Sequence, residues 1–192
     1  MRITREAQHR LTEIELLVMD VDGVLTQGDI LYTDAGMELK AFDIKDGLGL
    51  RVAAFAGLRL ALVAGRTSPI IQRRARDLRV EDVLTRVGDK EAALRSIAQA
   101  RGVGLPKVAY MGDDLNDRPA MRLAGLSIAP ADAAPEILAE AGLVTDAPGG
   151  RGAARQAVEL ILKAQGKWEA AVTAYLEDLS QRDRGRRPAE GR

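Results

Sequence analysis

Short, almost wholly apolar runs alternate along this chain with stretches whose apolar residues recur every three or four positions. The runs are Glu15–Met19, Arg59–Ala64, Asp82–Val87, Lys107–Met111, Leu126–Ala129 and Leu143–Thr145. Their length and lack of a polar face predict strands buried on both sides. Between them, helical periods cover Gly47–Ala56, Pro69–Leu78, Lys90–Arg101, Asp117–Ala124, Ala134–Ala141 and Ala153–Ala164. Thr67 or Ser68 can cap the helix that has Pro69 in its first turn, and Asp89 can cap the next. Gly102, Gly125, Gly142 and Gly166 follow periodic segments, where a left-handed residue ends a helix without strain. Strands alternating with helices predict an α/β fold of three layers, a mostly parallel sheet with helices on both faces. One segment breaks the alternation. Asp29–Tyr32 and Glu38–Phe42 flank Thr33-Asp34-Ala35-Gly36 and read as a β-hairpin inserted at about residues 28–43. The expected organisation is a single domain over residues 1–180. A charged, Gly/Pro-punctuated tail over 181–192 is expected to be disordered.

Composition narrows the function classes. The 192 residues are 46% hydrophobic, enough for one well-buried core. Lys+Arg and Asp+Glu number 28 each, so no net field draws the chain to nucleic acid or to an anionic membrane. There is no cysteine and one histidine, His9, which leaves disulfides, thiolate chemistry and histidine-based triads without material. Acid/base work then falls to carboxylates, lysine or tyrosine. The first residues are charged rather than apolar, and no apolar run approaches a membrane span, so a soluble cytoplasmic protein is expected.

In parallel sheets ligands gather beyond the C-terminal strand ends, and polar motifs fall there. Asp20 leaves the first strand at its tip, and Asp22 follows two residues on in Asp20-Val21-Asp22-Gly23-Val24-Leu25-Thr26. A carboxylate attacking a phosphoryl group forms an acyl phosphate that water readily cleaves. A second carboxyl beside it can protonate the leaving oxygen and later deprotonate the water. Gly23 lets backbone approach a phosphate closely. A calcium loop also uses Asp-x-Asp-Gly, but it needs a preceding helix and a glutamate at its twelfth position, where Leu31 stands. The fourth of these apolar runs ends Gly112-Asp113-Asp114-Leu115-Asn116-Asp117. Three carboxylates in five residues repel one another unless a hard cation joins them, and magnesium prefers oxygen ligands shared with a phosphate. Asp114 or Asn116 as a helix cap, with Asp117 on the helix dipole, accounts for one of them but not for all three. Lys90 is placed to lower the Asp20 pKa and balance phosphate charge, and Arg66 to fork onto an anion.

Together, Asp20–Thr26, Gly65-Arg66, Lys90 and Gly112–Asp117 resemble the haloacid dehalogenase superfamily of phosphohydrolases. Asp20–Thr26, Glu38–Gly47, Gly149–Ala153 and Ala164–Lys167 are similar, more narrowly, to its cap-less 3-deoxy-D-manno-octulosonate 8-phosphate phosphatases, over about Leu16 to Trp168. The resemblance implies a magnesium-dependent phosphatase of lipopolysaccharide synthesis; nonulosonate 9-phosphate phosphatases share much of the pattern. It implies Asp20 as nucleophile and metal ligand, and Asp22 as acid/base that ligates metal through its backbone carbonyl. It also implies Asp113 as the third protein ligand, with Lys90 and Arg66 on the phosphoryl group and substrate. Substrate contacts are implied at Asp43, Ile44, Lys45, Asp46, Gly47, Arg51 and Arg74. Three positions depart from the pattern. Ala64 replaces the usual serine or threonine, for which Thr67 or Ser68 are candidate substitutes; Lys45 replaces a common arginine, and Asp43 a frequent asparagine.

The chain has no room for a cap domain between Asp22 and Arg66 or between Arg66 and Lys90, so a neighbour is expected to help enclose the site. Apolar Ile30, Leu31, Leu39 and Phe42 on the hairpin suit pairing between copies, and the resemblance implies a homotetramer. A flap packing on its own core is the competing reading. Gly149–Ala153 opens a helix, whose N–H groups favour anions, and Arg151 there can reach a substrate carboxylate or simply face solvent. Two other classes stay open at this stage: a phospho-acceptor signalling domain, and an inactive oligomerisation module, to which Ala64 is the one pointer.

Overall fold

The structure, a computed structural model, describes residues 1–186. Seven strands form one sheet: β1 (Arg2–Ile3), β2 (Leu16–Met19), β5 (Arg59–Val63), β6 (Asp82–Leu84), β7 (Val108–Met111), β8 (Leu126–Ala129) and β9 (Leu143–Val144). Their spatial order is β1-β9-β8-β7-β2-β5-β6. Every pairing is parallel except β1 with β9. β3 (Leu31–Tyr32) and β4 (Glu38–Leu39) make the separate antiparallel hairpin. The helices are α1 (Arg5–Arg10), α2 (Ile44–Phe55), α3 (Pro69–Leu78), α4 (Lys90–Arg101), α5 (Arg118–Leu123), α6 (Pro135–Glu140), α7 (Ala153–Ala164) and α8 (Trp168–Arg186).

The central strands are apolar on both faces because both faces are covered. Along β2, Leu17 and Met19 pack with Leu50, Ile71, Val158 and Ile161 from α2, α3 and α7. Leu16 and Val18 pack with Leu94, Ile97, Met121 and Ile137 from α4, α5 and α6. This period-2 division of one strand between two cores fixes its register, since a one-residue slip would exchange the two sets. Between β2 and β5 the chain forms only the hairpin and α2, with no cap domain.

Several local expectations change. α2 begins at Ile44 rather than Gly47, because Asp43 caps it by accepting from the backbone N–H of Lys45 and Asp46. Asp89 caps α4 through Ala92 N, as its position predicts. Ser68 occupies the N-cap of α3, but its hydroxyl makes no capping bond. Asp117, rather than Asp114 or Asn116, is the N-cap of α5, again without a capping bond. Gly102 and Gly166 are left-handed, whereas Gly125 and Gly142 are not. Gly125 instead lies against the Pro106 carbonyl, where a Cβ would overlap it. The predicted tail begins inside a helix: α8 runs through Gln181 to Arg186, and residues 187–192 lie outside the described residues. Its apolar positions Trp168, Ala171 and Tyr175 sit in the same core as α2 and α7, and that packing extends the helix. β1 and α1 carry no strong sequence signal; β1 exists because β9 offers it an edge.

Candidate active site

The three central strands, β5, β2 and β7, end side by side, and the chain leaving each carries a polar group. Asp20 follows β2, its backbone N–H donating to the Met111 carbonyl at 2.9 Å. Its side chain is buried; Oδ1 accepts from Val21 N at 2.7 Å, and Oδ2 meets the Lys90 ammonium at 2.8 Å. Lys90 opens α4 and is itself buried. Its Nζ also contacts Asp117 Oδ1 at 2.7 Å, and the Tyr110 hydroxyl donates to that same oxygen at 2.8 Å. Asp117 Oδ2 accepts from the backbone N–H of Asp113 at 3.1 Å and of Asp114 at 3.4 Å. Asp117 thus ties the acidic turn to Lys90, and neither of its oxygens is left unbound.

Burial, helped by the negative charge of Asp117, lifts the Asp20 carboxyl to about 7 although Lys90 pulls it down. Lys90 therefore acts on Asp20 in the expected direction but does not prevail. Burial, then Asp20 and Asp117, lift Asp113 to about 7 as well. Burial disfavours the charged Lys90, yet the two facing aspartates outweigh it and raise its pKa. Burial first, and then the charge on Asp117, push the Tyr110 hydroxyl far up, so it serves as a neutral donor. One oxygen each from Asp20, Asp113 and Asp117 lies within 4.8 Å of the others. Three carboxylates facing one ammonium leave a local excess of negative charge that an oxygen-seeking divalent cation fits. Asp117 meets four donors, two on each oxygen, whereas each Asp20 oxygen meets one, so Asp20 and Asp113 keep the lone pairs that could hold it.

Gly23 has φ +92°, and a Cβ there would run into the Asp113 carboxylate, so the turn after Asp20 demands glycine on both counts. The loop is buttressed from behind: Gly150 N donates to Val24 O at 2.9 Å, and Gly149 packs directly on the Gly23 carbonyl.

The hairpin closes over this site from the same chain. Asp22 Oδ1 is contacted by Lys40 Nζ and lies 3.4 Å from Thr26 Oγ1. Glu38 Oε1 lies 3.6 Å from Lys40 Nζ and 3.4 Å from the Arg66 guanidinium. Arg66 also donates to the Tyr32 hydroxyl at 3.1 Å. Tyr32, Glu38 and Lys40 were not among the sequence candidates. The signal for Glu38 and Lys40 was their alternation with Leu39, which puts both charges on one face of an extended segment. The cleft that remains is bounded by Asp20, Asp22, Gly28, Gly65, Arg66, Asp113, Asp114 and Asn116.

The other candidates do not line that cleft. Asp43 caps α2. Ile44 and Lys45 are exposed, Ile44 to 86%. Asp46 is buried and caps α7, accepting from Gly152 N at 3.0 Å and Arg155 N at 2.8 Å. Gly47 gives room to Arg74, whose guanidinium lies over the Phe42 ring and donates to the Asp43 carbonyl at 3.1 Å. Arg51 stacks on Tyr175 of α8. Arg151 is exposed beside Gln27, whose amide oxygen can accept from it. Ala64 is buried in the core, and four residues on Ser68 is buried with an unpartnered hydroxyl.

Residues 63–155 match the haloacid dehalogenase-like hydrolase family. A 3-deoxy-D-manno-octulosonate 8-phosphate phosphatase of Escherichia coli is 37% identical over 169 residues, covering 88% of this chain and 90% of the relative. That of Yersinia pestis is 41% identical over 163 residues, covering 85% and 87%. Among solved structures, the phosphatase of the same name from Moraxella catarrhalis, in complex with magnesium, phosphate and a KDO molecule, superposes with a TM-score of 0.86. It is 38% identical, with 90% of this chain and 99% of that one covered. Shared along nearly its whole length with these relatives, and carrying paired carboxylates and a lysine at its central strand ends, the chain belongs to the haloacid dehalogenase-like hydrolases, in the group of the 3-deoxy-D-manno-octulosonate 8-phosphate phosphatases.

Proposed function

We propose that this chain hydrolyses 3-deoxy-D-manno-octulosonate 8-phosphate to the free sugar acid and inorganic phosphate, in the cytoplasm and with magnesium bound. The observation that carries the reading is the buried Asp20, held between Val21 N and Lys90 and facing Asp113 across adjacent strand ends. Asp20 attacks phosphorus as the bond to the sugar oxygen breaks, and the Asp22 carboxyl gives that oxygen its proton. Water then attacks the aspartyl phosphate, returns a proton to Asp22 and releases phosphate, regenerating the Asp20 carboxylate. Lys90 and Arg66 balance the charge of the transferring group. Asp20, Asp113 and the Asp22 backbone carbonyl would hold the magnesium, which supplies electrostatic stabilisation of the phosphoryl oxygens.

The residues that fall outside the cleft, Asp43–Gly47, Arg51, Arg74 and Arg151, are assigned to orienting α2 and α7 and, through exposed Ile44, Lys45 and Arg151, to the site of a neighbouring copy in a homotetramer. Phosphate release from 3-deoxy-octulosonate 8-phosphate, a nonulosonate 9-phosphate and simple sugar phosphates tests the substrate. The first is expected to have the highest kcat/KM, and preference for a nine-carbon acid would reassign it. Asp20→Asn should abolish turnover with every ester, while retained activity would remove Asp20 as nucleophile.

A further inference from the structure

The proton that Asp22 moves must leave from a defined oxygen, and the hairpin decides which one. Asp22 Oδ1 is taken by the Lys40 ammonium, with the Thr26 hydroxyl at 3.4 Å from the same atom. The carboxyl oxygen that accepts from the ammonium is the less basic of the two, so the mobile proton is directed to Oδ2. Lys40 is fixed in turn: its side chain is 2% exposed, and Glu38 Oε1 stands 3.6 Å from Nζ. Glu38 has no hydrogen-bonded partner at that oxygen and lies between Lys40 and Arg66. The result is a row of alternating charge, Asp22, Lys40, Glu38 and Arg66, with Glu38 on hairpin strand β4 and Lys40 just beyond it.

We propose that Lys40 is a positioning residue of the phosphatase reaction. From the hairpin of its own chain it clamps Asp22 Oδ1, so that Oδ2 alone gives the proton to the leaving oxygen and takes it back from water. This rests on Asp22 as the acid/base of the reading above and adds a residue to it. The bonds made and broken are unchanged: Oδ2–H passes its proton to the departing alkoxide, and the attacking water later restores it. The hairpin is therefore part of the site in each chain, whatever a neighbouring copy contributes.

The test compares leaving groups. An alkyl phosphate expels an alkoxide that needs the proton, whereas p-nitrophenyl phosphate expels a nitrophenolate that does not. Lys40→Met should lower kcat on the sugar-acid phosphate by about ten- to a hundredfold with KM little changed, the scale of misplaced acid catalysis. In kcat/KM, which reads only as far as the step that expels the leaving group, the loss on p-nitrophenyl phosphate should be several-fold smaller, and Lys40→Arg should recover most of it. The melting temperature with magnesium identifies a variant that has merely unfolded, and Lys40→Arg is then compared with wild type in the same two assays. Equal losses in kcat/KM on both esters, a change in KM alone, or no loss would overturn the proposal. A wild-type protein idle on the sugar-acid phosphate but active on a simple alkyl phosphate rejects the substrate reading and leaves the Lys40 comparison to be made on that ester. Wild-type protein inert toward all phosphate esters overturns both.

Discussion

Burial lifts the carboxyls of Asp20 and Asp113 to about 7 from an ordinary 3.8, so between those pH values the folded chain keeps protons that the unfolded chain has released. The metal-free protein therefore loses stability as pH rises from 3.8 towards 7. Magnesium needs the deprotonated oxygens and competes with those protons. Its stabilising shift in melting temperature should be small near pH 5.5 and large near pH 8, and equal shifts would place the cation elsewhere. Ala64 permits a second measurement. Ala64→Thr supplies a hydroxyl at the end of β5, and one hydrogen bond to a charged group is about 1.5–3 kcal/mol, or at least a tenfold gain in kcat/KM. An unchanged value would direct attention to the buried, unpartnered Ser68 hydroxyl, which Ser68→Ala would then test. At this scale Asp20, Asp22, Lys90 and Asp113 were legible because each sits at a strand or helix end in a compact motif. Lys40 was not, since its partner Asp22 is 18 residues away and only the folded hairpin brings them together.

Three helices, α3, α4 and α7, start and stop where the periodicity places them, since their apolar stripes and end residues agree. β1 and α1 had no such agreement; a two-residue strand is defined by its partner, not by its own composition. α8 was obscured by the charges that follow its apolar stripe, although Arg182 pairs with Asp178 one turn back. The junction of α2 with α7 carries a prediction of its own. The Asp46 carboxylate receives two backbone N–H groups from the start of α7, and asparagine can satisfy only one of them. Asp46→Asn should cost about 1–2 kcal/mol, read in denaturant unfolding. No loss would mean that packing alone orients α7.

Across the whole molecule, the hairpin turns its polar edge inward and leaves Ile30, Leu31, Tyr32, Met37 and Leu39 at least half exposed. With Ile44, this surface is what a neighbouring copy would cover. Light scattering at assay concentration should give a tetramer for the wild type and a smaller species for Leu31→Glu combined with Leu39→Glu; a monomeric wild type would remove the shared-site assignment. Such a surface was only partly legible in the sequence, because the same apolar residues suit a flap folded on its own core. The parallel strands have a further consequence, for folding. Asp20, Lys90 and Asp113 come together only after β2, β5 and β7, far apart in the chain, have paired through their crossover helices. Such long-range closure is slow relative to helix formation. Activity recovered after dilution from denaturant would therefore be among the last signals to return, behind helical circular dichroism, and a nascent chain would not be a phosphatase until strand β7 had been made.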